Sequence, residues 1–172
     1  MWASRDLGGR RRRTGEGAVA VEFALVLPVL LLLVFGIIGY GLVLAQQAAI
    51  SNAVRSGARF GSVNLYNGDH TCEEVITKAR GAARTIGLSD TTQVGIKVVR
   101  RSEVGPDQVI CAAAAGVEAP AVTERPCAGS PPAEPDTLYV EGRYTTDIGL
   151  PVPGLDGTVL TATGAFQCEY SG

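Results

Sequence analysis

The chain has 172 residues, 19% of them charged, with a net charge of −2, four cysteines and one histidine. The charge is placed unevenly: five arginines stand against Asp6 and Glu16 in residues 1–16, whereas ten basic and fourteen acidic residues follow position 45. The acidic balance of the larger part leaves no strongly basic face for nucleic acid, and a lone histidine excludes most histidine-dependent acid–base schemes.

Residues 1–16 are short, polar and arginine-rich, with Gly8, Gly9 and Gly15 breaking any helix, and they read as a leader. From Phe23 to Ala45 no residue is charged, a run long enough for a hydrocarbon core that takes about 20 helical residues. A secretory signal has a shorter apolar region, about 7–15 residues, and an A-x-A exit. Here the exit reads Ala45-Gln46-Gln47-Ala48, so ordinary signal-peptide cleavage is disfavoured. The arginine cluster Arg10–Arg13 places the N-terminus on the cytoplasmic side of the cytoplasmic membrane and the remainder outside.

The helical pattern continues past the apolar run, with Ala48, Ala49, Ile50, Ala53, Val54, Gly57, Ala58 and Phe60 apolar or small. One long helix is predicted from about Ala18 to about Phe60, half in the membrane and half projecting from it. Pro28 is expected to kink it, and Gly36, Gly39 and Gly41 permit close approach of a neighbouring helix. Glu22 is the exception in this segment, because a carboxylate at the head of a membrane helix needs a partner or nearby water.

Gly61 to Asp69 reads as a loop. Thr71-Cys72-Glu73-Glu74 is a capping box that opens a second helix, with Val75, Ile76, Ala79, Ala83 and Ile86 on one face and Gly87 as its stop. Strands are expected around Val94–Val99, Val109–Ala114, Thr137–Ile148 and Thr158–Tyr170. Residues 116–135 form a proline-rich surface loop, and Gly149-Leu150-Pro151-Val152-Pro153-Gly154 joins the last two strands. Consecutive strands argue for an antiparallel sheet of three or four strands with the second helix covering one side. The predicted class is α+β: leader 1–17, transmembrane and projecting helix 18–60, and extracytoplasmic domain 61–172.

All four cysteines fall in that domain, and their even number reads as two disulfides. Three pairings are possible. Cys111–Cys127 would staple the proline-rich loop and Cys72–Cys168 would tie the start of the domain to its end, and this is the favoured pair. No C-x-x-C occurs, which argues against zinc, and no cofactor fingerprint is present. His70 reads as a solvated loop residue. Gly129-Ser130 lacks the strand–turn–helix context of a nucleophile elbow, so no enzyme activity is expected.

The segment Gly17-Ala18-Val19-Ala20-Val21-Glu22-Phe23 resembles the processing site of type IV pilins and pseudopilins, which a prepilin peptidase cuts after the glycine. The longer stretch RRRTGEGAVAVEFALVLPVLLLLVFGIIGYG is similar to the TadE-like pseudopilins of the tight-adherence (Tad/Flp) pilus system. The Ala53-Val54-Arg55-Ser56-Gly57-Ala58-Arg59 continuation also fits that family. The resemblance implies a pilin-like fold and a minor structural role in a pilus assembly or secretion apparatus. It further implies a cut between Gly17 and Ala18, with Glu22 and Phe23 serving peptidase recognition and assembly. The implied partners are a prepilin peptidase, other pilins or pseudopilins, Tad assembly proteins of the membrane, and the lipid bilayer. The competing expectation is an unprocessed single-pass anchor that displays a small binding module unconnected with pili.

Overall fold

The computed structural model describes residues 14–63, 70–85, 88–102, 105–127, 136–149 and 154–169. Most of the leader, most of the first loop, Ile86, Gly87, Gly129-Ser130, Leu150–Pro153 and Tyr170 therefore lie outside the described residues.

Helix α1 runs from Thr14 to Ser62, 49 residues, and continues through Pro28. Its two halves meet different surroundings. From Gly17 to Phe35 every side chain is exposed, including Val19, Phe23, Leu25 and Leu32, as suits a helix that is apolar all round. From Gln46 onward one stripe is buried: Gln46, Ile50, Ala53, Val54, Gly57, Ala58 and Gly61 recur at helical spacing.

Helix α2 spans Cys72–Ala82 and begins with the predicted capping box. The Thr71 hydroxyl accepts from the Glu74 amide, while the Thr71 amide donates to the Glu74 carboxylate at 2.9 Å. Val75, Ile76, Ala79 and Ala83 are buried as expected. The helix stops at Ala82, well before Gly87; Ala83 closes it by donating its amide to the Arg80 carbonyl.

Four strands follow, β1 Gly95–Arg101, β2 Gln108–Ala113, β3 Thr137–Thr145 and β4 Val159–Gln167. They form one antiparallel sheet in the order β2-β1-β3-β4. The alternation read in the sequence holds: Ile96, Val98, Leu138, Val140, Tyr144 and Leu160 point into the core. A bulge between Val98 and Val99 breaks it once, which leaves both Ile110 and Cys111 buried on β2.

The sheet is covered on one face by both helices, and α1 takes the larger share. Its C-terminal half lies on β3 and β4 and beside α2, while α2 reaches β1 and β2. The part expected to project is thus the spine of the core. Two strand glycines make this possible. A Cβ on Gly164 would stand 2.5 Å from the Val54 carbonyl oxygen, and one on Gly142 would stand 2.6 Å from Val54 Cγ1. Gly57 and Gly61 do the same between α1 and its neighbours, where an added Cβ would meet Ala79, or Val75 and Leu138, at 2.8 Å.

The described part of the proline-rich segment, residues 116–127, is held more firmly than a surface loop. Because β2 and β3 flank β1, their connection must cross the sheet, and it does so around α2. Gly116 donates its amide to Thr92 O, Cys72 donates to Glu124 O, and Pro126 and Cys127 are buried. This path corrects the expected disulfides. The pairs are Cys72–Cys111, with Cα atoms 6.4 Å apart, and Cys127–Cys168, at 5.6 Å. Cys111 and Cys168 sit at opposite edges of the sheet, three strand spacings or about 14 Å apart. The crossing segment carries Cys127 over that breadth to β4, while the first residue of α2 settles over β2.

Candidate assembly and processing segment

The sequence-predicted processing residues lie on the exposed half of α1. A Cβ added to Gly17 would meet nothing within 4 Å beyond its own stretch of helix among the described residues, and Ala18, Glu22 and Phe23 are exposed. Thr14 is already helical, so the Gly17–Ala18 bond lies within α1 rather than ahead of it. Ala18 and Glu22 are one turn apart on one face. Among the described residues Glu22 makes no hydrogen bond or ion pair, and it stands in an apolar surface formed by Val19, Val21, Leu25 and Val26.

The other half of α1 joins this segment to the domain. Gln47 Nε2 donates to Thr161 O at 3.0 Å, and the Glu169 amide donates to Ser62 O at 2.8 Å. The second contact lies beside the Cys127–Cys168 link, so the end of α1 and the end of β4 are fastened together. Arg80 supplies a further tie that sequence reading missed. Its guanidinium is buried and donates to Val94 O, Val117 O and Ala114 O at 3.0, 2.7 and 2.9 Å. Burial lowers its pKa, opposed by nearby Asp90. The planar fork suits three diverging carbonyls, which explains an arginine here rather than a lysine.

His70 is not simply solvated. Its ring stacks on Phe60 with centroids 3.6 Å apart, and its Nδ1 lies 3.7 Å from Glu74 Oε2. Lys78 stands over the other ring, 5.8 Å from the Phe60 centroid, and a groove of about 620 Å³ runs past Arg55, Arg59, Phe60 and Phe166. The Glu74 carboxyl is held below its ordinary value, chiefly by the Thr71 amide and also by His70. On the open face of the sheet Arg101 grips Asp107 and lies over Tyr139, which raises the arginine pKa and lowers that of the acid.

Among the described residues no three His, Cys, Asp or Glu side chains converge as a metal site would require. Comparison with curated proteins and with solved structures returns no match. A family model described as TadE-like protein matches residues 17–59. That segment takes in the whole exposed half of α1 and nearly all of the half that packs on the sheet. Residues 17–59 are therefore similar to the TadE-like family, and the match falls on one continuous helix.

Proposed function

We propose that the protein is a minor pilin-like, TadE-type structural component of a Tad/Flp pilus assembly or secretion apparatus. It is a single-pass protein of the cytoplasmic membrane, with its N-terminus inside and its domain outside. The observation that carries this reading is the coincidence of the TadE-like match with a helix apolar all round in one half and packed in the other. One helix in the described residues is long and apolar enough to cross a membrane.

In this reading a prepilin peptidase cuts after Gly17. The cut frees the amine of Ala18, one turn from Glu22. In an array of such helices the carboxylate of one subunit neutralises the ammonium of the next, which lowers the several kcal/mol that each charge costs alone in lipid. The pairing supplies register between helices rather than large net stability. Other pilins and the membrane proteins of the Tad apparatus are the partners, and no cofactor takes part.

N-terminal sequencing of the mature protein tests the reading. A start at Ala18 that is lost in Gly17→Ala supports it; a chain still beginning at Met1 in a peptidase-positive cell refutes processing. Glu22→Ala is expected to leave the protein in the membrane while impairing pilus assembly, and normal piliation would refute the pairing.

A further inference from the structure

The domain sits lower on α1 than the apolar run allows. Helix and strand β4 climb together: Gln47 meets Thr161, Val54 meets Gly164, and Ser62 meets Glu169. The β3–β4 ladder then continues below Thr161, since Thr146 N donates to Thr158 O and Gly157 N to Thr146 O, both at 2.9 Å. Three extended residues, from Thr161 back to Thr158, descend about 10 Å, and the Gly154–Gly157 turn lies below them. On α1 that distance is about seven residues below Gln47, close to Tyr40, with the turn lower still. Burial along the helix agrees, because Gly39 is buried and Gly36, Leu42 and Val43 are half-buried on the stripe that continues through Gln46 and Ile50.

This level holds two exposed acids, Asp147 and Asp156. Asp156 Oδ1 accepts the amides of Ile148 and Gly149 at 2.7 and 3.2 Å, which fixes its carboxylate in the turn. Beside them Ile148 and Leu155 are half-buried. A run from Phe23 to Ala45 in hydrocarbon would take these acids into the bilayer, where each charge costs several kcal/mol.

We propose that the membrane-proximal end of the domain, Thr146–Gly149 with Gly154–Thr158, is a lipid-contacting surface seated in the headgroup layer of the bilayer that α1 crosses. The hydrocarbon span of α1 is accordingly about Ala18 to about Gly36. About 19 residues at about 1.5 Å each give about 28 Å, matching a core of about 30 Å. Tyr40, exposed on α1, falls in the interfacial belt that tyrosine favours. Glu22 then lies about 6 Å inside the hydrocarbon rather than at its edge, which makes neutralisation by a neighbour a requirement of the span.

The inference rests on the membrane-spanning reading, and one experiment separates the two. Trp2 is the only tryptophan. In a Trp2→Phe background, Leu27→Trp, Val34→Trp and Leu155→Trp are placed singly in the full chain and reconstituted in phosphatidylcholine–phosphatidylglycerol vesicles. The lipids carry bromine either near the headgroup or near the bilayer centre. Leu27→Trp is expected to be quenched at least about twofold better by the deep bromine, and Val34→Trp and Leu155→Trp better by the shallow one. Deepest quenching at Val34→Trp, midway between Phe23 and Ala45, overturns the shifted span. An unquenched Leu155→Trp overturns the headgroup seating. Absence of quenching at all three sites overturns the membrane reading as well. Asp147→Trp, which replaces an exposed side chain at the same level, serves as the reporter where Leu155→Trp does not fold.

Discussion

Gly164→Ala is the sharpest perturbation of the joint between helix and sheet. The added methyl would lie 2.5 Å from Val54 O, 2.6 Å from Val54 C and 2.8 Å from Arg55 N, all backbone atoms of a helix that cannot turn aside. Ordinary contact begins near 3.4 Å, so α1 must lift by about 0.9 Å. A gap of that size forfeits about a quarter to a half of each dispersion contact made by Ile50, Ala53, Val54 and Ala58. Overpacking costs about 1–3 kcal/mol, and this site takes the upper end. Loss of glycine entropy in the unfolded chain returns about 0.4–1 kcal/mol, leaving a net cost of about 2 kcal/mol. For a domain of this size the thermal midpoint falls by about 6–12 °C. The control is Gly142→Ala, whose methyl meets Val54 Cγ1 at 2.6 Å and Ile50 Cγ2 at 3.1 Å, side-chain atoms that Val54→Ala removes in part. Melting followed by circular dichroism on the full chain in detergent, as a double-mutant cycle, reads the difference. Coupling with Val54→Ala is expected at about 1 kcal/mol for Gly142→Ala and near zero for Gly164→Ala. A Gly164→Ala protein that melts like the parent, or is rescued by Val54→Ala, refutes the close backbone approach.

Three further outcomes follow from the described geometry. Arg80→Met keeps the stem but strips three buried carbonyls of their donors, so urea unfolding should show a loss of about 3 kcal/mol, and Arg80→Lys should recover less than half of it. Peptide mapping without reduction should join Cys72 to Cys111 and Cys127 to Cys168; removing either link, with loop separations of 39 and 41, should cost about 4 kcal/mol in the chain-entropy model. Because the Glu74 carboxyl is held below 4.5 in the fold, its stabilisation is present above that value and lost as pH falls through the lowered pKa. Thermal midpoints measured from neutral to acid pH should therefore show a smaller acid-side drop in Glu74→Gln than in the parent.

Much of the fold was legible because its signals are local. The capping box at Thr71 needs only four consecutive residues, and the alternation around Ile96 and Val98 needs only a pleated strand. The apolar run of α1 announces itself by length. What the sequence hid depends on strand order. The segment after β2 crosses β1, and that crossing alone decides that Cys127 meets Cys168 instead of the nearer Cys111. The docking of residues 46–62 of α1 was also obscured, because alanine, glycine and serine there form a weak apolar stripe. Its clue lay elsewhere, in Gly142 and Gly164, since a glycine within a strand marks close approach of another backbone. His70 read as solvated because its partner Phe60 comes from the preceding helix, across a loop that no short-range pattern bridges. Of the candidate site, the residue types at Gly17, Ala18 and Glu22 were readable. That the bond between the first two lies inside a helix was not, since Gly15 argues for a later start.

In the single-pass topology proposed above, the pairing of α1 with β4 also sets an order of events in export. There helix α1 enters the membrane first, whereas its cover arrives last: the Gln47–Thr161 contact joins positions 114 residues apart. Contacts of such separation form slowly. Until β4 has crossed, Ile50 and Val54 face solvent with the sheet incomplete, and the newly exported helix offers the same stripe to any neighbour that can match it. Arrival of residues 159–167 closes that stripe and ends the interval, so the final strand functions as a timer that separates insertion of the helix from maturity of the domain. Slowing passage of that strand would lengthen the time in which α1 is held by exchangeable partners instead of by its own chain.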